Sequence, residues 1–99
     1  MVLLRVHLFF PDAGSLKAKR AELNRVKAWL RDKLGAAVAE VDGQDTWQRS
    51  VLAVSFVAGS LGGCEERADT VQRFLDSRFP QGVRIERRYA SWGDLEAIG

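Results

Sequence analysis

One cysteine, one histidine and two prolines are all that the chain holds of three informative residue types. A lone Cys64 excludes an internal disulfide and any zinc site built on cysteines. His7 has no second histidine or cysteine to share a metal with, so it reads as a structural or surface residue. No Ser/His/Asp or Cys/His arrangement can be assembled, so a non-catalytic protein without metal or cofactor is expected. There is no signal-peptide pattern and no apolar run long enough to span a bilayer. The expectation is a cytoplasmic protein that does not enter a membrane. No repeat or linker divides the 99 residues, which suffice for one domain with a single core. One sign of charge barely prevails: the net is +2, so any pull on nucleic acid must come from clustering.

The cations do cluster. Ser15–Leu34 reads as an amphipathic helix, with Ser15 as N-cap and Gly35 as a left-handed C′ residue. Leu23, Val26, Leu30 and Leu34 recur at the spacing of a core-facing stripe. Lys17, Arg20, Asn24, Lys27 and Arg31 fall within about 80° of one another on the helical wheel, one polar row beside the apolar one. Between Lys17 and Lys33 seven cations stand against Glu22 and Asp32, a local net of +5. Lys17, Lys19 and Arg20 sit near the positive end of the helix dipole, where acids are preferred. Free N–H groups, dipole and cations together suit a phosphate. The competing reading is a solvated face with some cations paired to Asp12, Asp42 or Asp45.

The rest of the chain supplies the partners for that helix. Met1–Phe10 alternates as a strand, with Val2, Leu4, Val6, Leu8 and Phe10 on one side. Pro11–Gly14 is a turn. Ala36–Val41 and Arg49–Val57 read as strands joined by a turn at Asp42–Asp45. Gly59–Gly63 reads as a flexible connection. A second helix follows from near Cys64, with Cys64, Ala68, Val71 and Leu75 as its stripe, and Pro80 ends it. Val83–Trp92 completes the strands, and 93–99 is expected to be a loosely held tail. The order βαββαβ predicts an α+β, ferredoxin-like fold: a four-stranded antiparallel sheet with two helices on one face. The bare face should carry Arg5, His7, Phe9, Val51, Ala53 and Ser55, with either Arg84 and Arg88 or Val83 and Tyr89. Such a face is solvated, binds a ligand, or forms the seam of a homodimer.

Two further features admit more than one use. Glu40, Asp42 and Asp45 could converge on a hard cation but lack the ligand count of a calcium loop. Salt bridges to Arg49 or to the first helix are the favoured use. Trp47, beside Gln48 and Arg49, could stack a base and clamp its phosphate, or fold over the core edge. Trp29, off the apolar stripe, is a second exposed-aromatic candidate.

Ser15-Leu16-Lys17-Ala18-Lys19-Arg20 and Ala39–Arg49 (AEVDGQDTWQR) together resemble the YlxP-like family of small bacterial proteins of unknown function. Its pattern runs SLKxKR, then a basic helix, then an AEVxxxDxWQR hairpin. The resemblance covers about the first sixty residues. It implies a ferredoxin-like fold and, from the family's gene neighbours in translation initiation and ribosome maturation, an RNA or small ribosomal subunit as partner. No catalytic residue is established for the family, so none is implied here. The nucleic-acid-binding set expected is Lys17, Lys19, Arg20, Lys27, Arg31, Trp47 and Arg49. The RNP aromatics of an RRM are missing, so recognition through the helix rather than stacking on the sheet is the expected mode. Alternatives are a homo-oligomeric module using the bare sheet face, and an acylphosphatase-like enzyme, whose glycine-rich phosphate loop has no counterpart in Pro11–Gly14.

Overall fold

Alternate residues of the first strand are buried completely, and this sets the layering. In the computed structural model, which describes residues 1–11, 13–80 and 82–98, β1 (Val2–Phe9) buries Val2, Leu4, Val6 and Leu8 and leaves Leu3, Arg5 and Phe9 exposed. One face of the sheet is therefore packed and the other open. The element order continues α1 (Leu16–Leu34), β2 (Ala37–Asp42), β3 (Arg49–Phe56), α2 (Leu61–Arg78), β4 (Val83–Tyr89) and α3 (Trp92–Ile98). The strands form one antiparallel sheet in the order β2-β3-β1-β4. This is the expected α+β arrangement. The turn assigned to Pro11–Gly14 and the pairing suggested for Asp12 fall on or across residue 12, outside the described residues.

Helix α1 starts and stops where local chemistry dictates. The Ser15 side chain accepts from the Ala18 N–H at 3.1 Å, and Gly35 takes φ 64°. Leu23, Val26 and Leu30 are buried against the sheet. Helix α2 begins earlier than the sequence suggests, at Leu61 rather than near Cys64. Ser60 is its N-cap, accepting from the Gly63 N–H at 3.1 Å, so Gly62 and Gly63 are drawn into the first turn instead of forming a flexible link. Its Cys64, Ala68, Val71 and Leu75 are buried as expected.

Two aromatic expectations are corrected. Trp29 is not a free stacking surface: its ring lies on that of Phe74, centroids 3.7 Å apart and nearly parallel at 4°, joining α1 to α2. Trp92 is not in the last strand. It opens α3, where Ser91 and Asp94 cap each other, the Ser91 N–H donating to Asp94 Oδ2 at 2.8 Å and the Asp94 N–H to Ser91 Oγ at 3.3 Å. The segment expected as a loose tail is thus helical up to Ile98, and Gly99 lies outside the described residues.

The open face can be mapped row by row, because directly opposed residues of an antiparallel pair share a face. One row runs Ala37, Ser55, Leu3, Arg88; the next Ala39, Ala53, Arg5, Glu86; a third Asp42, Val51, His7, Arg84. Phe9 opposes Arg49 at the corner. Arg84 and Arg88, not Val83 and Tyr89, are the β4 residues here; Val83 and Ile85 pack toward the core. Val51, expected to be exposed, is buried at this face, next to the bulge that shifts the β2 register between Glu40 and Asp42. On the edge strand β2, the Val38 carbonyl accepts from Arg31 Nη2 at 3.1 Å and the Glu40 carbonyl from Gln44 Nε2 at 3.4 Å. On the opposite edge, Arg88 Nη1 donates to the Arg87 carbonyl at 2.9 Å.

Candidate nucleic-acid interface

The row predicted on α1 exists as a surface feature with unequal members. Lys17, Arg20 and Arg31 are exposed and Lys27 is half-buried. Fourteen residues separate the ends of the row, about 21 Å along the axis. No acid stands in the first turn to offset it. Arg20 Nη1 is 3.9 Å from Glu40 Oε1, an attraction too long for a hydrogen bond, and its side chain keeps half its surface in water. Arg31 reaches over to the Val38 carbonyl. Among the described residues neither Lys17 nor Lys27 is within ion-pair distance of a carboxylate.

Lys19 does not belong to that surface. It is 2% exposed, and its ammonium donates to the Gly43 carbonyl at 2.6 Å and to the Thr46 carbonyl. Glu40 Oε2 stands 3.9 Å away. Burial pushes the Lys19 pKa below its ordinary value, with Glu40 opposing the change. A cation so enclosed cannot meet a phosphate, so Lys19 leaves the predicted set. The sequence held a signal: Lys19 lies four residues before Leu23, on the continuation of the core stripe. A lysine placed there has to find acceptors, and the hairpin loop provides them.

The hairpin is built around the same contacts. Gly43 adopts φ 79°, and a Cβ there would meet the Arg49 carbonyl oxygen at 2.7 Å. Its carbonyl accepts from the Thr46 N–H at 3.1 Å as well as from Lys19. Asp42 closes the turn, Oδ1 accepting from the Gly43 N–H at 2.7 Å and Oδ2 from Arg49 Nη2 at 2.9 Å. Buried Ser50 donates its hydroxyl to Glu40 Oε2 at 2.7 Å. Asp42 thus serves Arg49 and Glu40 the first helix, the favoured use; Asp45 joins in neither among the described residues. Of the polar residues carrying the family resemblance, Lys19, Arg20 and Glu40 join the hairpin to the helix, and Asp42 and Arg49 close the hairpin itself.

Arg49 and the α1 row are not brought together. Arg49 pairs with Phe9, on the face of the sheet away from the helices. Trp47 remains outward, 48% exposed, on the loop that Lys19 fastens. Asp45 and Gln48 are exposed beside it.

His7, on the open face, has Nε2 2.8 Å from Glu86 Oε1 and 3.3 Å from Arg84 Nη2. One ring nitrogen cannot donate to the carboxylate and accept from the guanidinium at once, and the shorter contact assigns the N–H to Glu86. That bond, helped by Arg5 at 3.8 Å, holds the Glu86 carboxyl below the usual range. Among the described residues no three histidines, cysteines or acids are grouped to hold a metal ion. Among the same residues no helix is long and apolar enough to cross a membrane.

A basic first helix, a hairpin fastened to it by Lys19 and an open four-stranded antiparallel sheet make this an α+β protein with one bare sheet face. The chain belongs to a protein family of unknown function, DUF503, whose model matches residues 1–87. It is 41% identical over 76 residues to the uncharacterized protein YlxP of Bacillus subtilis (strain 168), covering 77% of this chain and 78% of that protein. The match accords with the resemblance drawn from the Ser15–Arg20 and Ala39–Arg49 stretches.

Proposed function

We propose that the protein is a non-catalytic RNA-associated module that binds phosphates through the α1 row Lys17, Arg20, Lys27 and Arg31. The supporting observation is the segregation of charge on α1. Its cations exceed its acids by five while the whole chain nets +2, so the remainder of the molecule is net negative. A single row of this kind suits phosphate contacts, which position a protein on RNA without reading sequence. A small ribosomal subunit is the partner that agrees with the family resemblance.

The test is binding of the purified protein to small ribosomal subunits and to total RNA across a salt series. Four phosphate contacts weaken binding roughly 100-fold between about 50 and 200 mM salt. The variant Lys17→Glu/Lys27→Glu/Arg31→Glu, its fold checked by circular dichroism, should lose most of the binding and most of the salt slope. Equal binding by the folded variant refutes the helix as the contact surface.

A further inference from the structure

We infer that the helix-free face of the sheet is a second contact surface, for single-stranded RNA held by Arg5, Arg84 and Arg88 with Phe9 as a stacking platform. This deepens the proposal above and rests on RNA being the ligand. The Arg5 side chain is 65% exposed, and Arg84 and Arg88 are exposed. Glu86 is the carboxylate set among them, and it is engaged by His7 at 2.8 Å and Arg5 at 3.8 Å. Among the described residues neither Arg84 nor Arg88 is in an ion pair, so two positive charges are left over on this face. Asp42 and Arg49, at its corner, neutralise each other at 2.9 Å.

The apolar part of the face fits the same ligand. Phe9 is 42% exposed and lies against Gly82, where an added Cβ would meet the Phe9 Cβ at 2.8 Å and its ring at 3.0 to 3.1 Å. The glycine therefore leaves the Phe9 ring its position at the end of the strand. Two rows along from Phe9 the floor is low, formed by Ala39 and Ala53 in the row of Arg5, with Ser55 one row further on. Planar guanidiniums donate a fork of N–H groups to phosphate oxygens and stack on bases. The mode differs from an RRM: one aromatic instead of two, with arginines carrying the affinity.

A second copy of the chain is a poorer occupant. An isologous contact centred on β1 and β4 would set the arginine-rich patch of one copy against that of the other. Four strands about 4.8 Å apart and about seven residues long give a face of roughly 450 Å². A stable protein interface takes about 800 Å² per partner. The same shortage of area disfavours an acidic protein relative to a thin, flexible polyanion.

The experiment is titration of full-length protein with an oligouridylate of about ten nucleotides over a salt series, using Arg5→Gln/Arg84→Gln/Arg88→Gln, Phe9→Ala, Phe9→Tyr and the α1 variant. Losing three single-strand phosphate contacts lowers the slope of log K against log salt by about 2. Phe9→Ala should weaken binding roughly tenfold, and Phe9→Tyr should restore it. If the triple variant does not fold, Arg88→Gln alone should lower the slope by about 0.7. An unchanged slope in the arginine variants overturns the inference; if the α1 variant then loses binding, the helix reading survives alone. Loss in the sheet variant with none in the α1 variant supports the sheet face and refutes the helix. No binding by the native protein at low salt refutes both. Displacement of the oligonucleotide by polyglutamate at equal charge, or a dimer that the arginine substitutions dissolve, overturns RNA as the occupant.

Discussion

Replacing Lys19 tests the central structural claim, that one buried ammonium fastens the hairpin to α1. Lys19→Ala removes the donor to the Gly43 and Thr46 carbonyls. Gly43 keeps the Thr46 N–H, so the Thr46 carbonyl and Glu40 bear most of the loss. The Glu40 side chain is 10% exposed and would retain Ser50 Oγ and the distant Arg20. Breaking an enclosed pair by removing one partner typically costs about 3–5 kcal/mol. With a urea slope of about 1–3 kcal/mol per molar, the unfolding midpoint should fall by at least about 1 M. Lys19→Met refills the space of the stem and should cost less. Combining it with Glu40→Gln should recover part of the loss, a coupling of about 0.5–3 kcal/mol. Urea melts followed by tryptophan fluorescence and circular dichroism measure all the corners of the cycle. The pH dependence gives a second check. The folded pKa lies below the ordinary 10.5, so between the two values the unfolded chain holds a proton that the folded one does not. Native stability relative to Lys19→Met should therefore rise with pH across that window. A Lys19→Met loss under about 0.5 kcal/mol, with strictly additive Glu40→Gln, would refute the fastening role.

Other outcomes follow from single contacts. Gly43→Ala forces a side chain into a φ of 79° and against the Arg49 carbonyl, and should lower stability by more than about 1 kcal/mol in thermal melts. The Trp29–Phe74 stack should show a coupling of about 0.5–1.5 kcal/mol in an alanine double-mutant cycle, and additive losses would mean that the rings do not interact. Glu86 and Asp94 are held below the usual carboxylate range, by the His7 bond and by the Ser91 N–H respectively. Each favours folding above the unfolded-state pKa and loses that effect as pH falls through the folded one. Glu86→Gln should flatten the acid limb of the stability profile, and for Asp94 the helical signal of α3 should fade in the same direction.

The layering was legible because period-two and period-3.6 patterns depend on burial alone. Val2, Leu4, Val6 and Leu8 announce the packed side of β1, and Leu23, Val26 and Leu30 that of α1. Errors arose where a residue's role depended on distant chain. Lys19 looks like surface charge until Gly43 and Thr46 arrive beneath it, 24 and 27 residues later. Trp29 lies off its own stripe yet is covered by Phe74 of another helix. Ser60 and Ser91 are caps whose strength as local signals was outweighed by glycines that suggested loose chain. Of the proposed site, the α1 row was readable from helical spacing. The opposite placement of Arg49 required strand register, which a sequence does not state.

The side-chain bonds along the rims of the sheet bear on how this chain behaves among its own copies. Arg31 and Gln44 occupy the carbonyls of Val38 and Glu40 on β2, and Arg88 that of Arg87 on β4. A foreign strand bonding to these carbonyls must first displace an amide or guanidinium from an oxygen that is already satisfied, so that exchange yields little net free energy. An unclosed four-stranded sheet can in this way remain exposed on one broad side without recruiting further strands along its length.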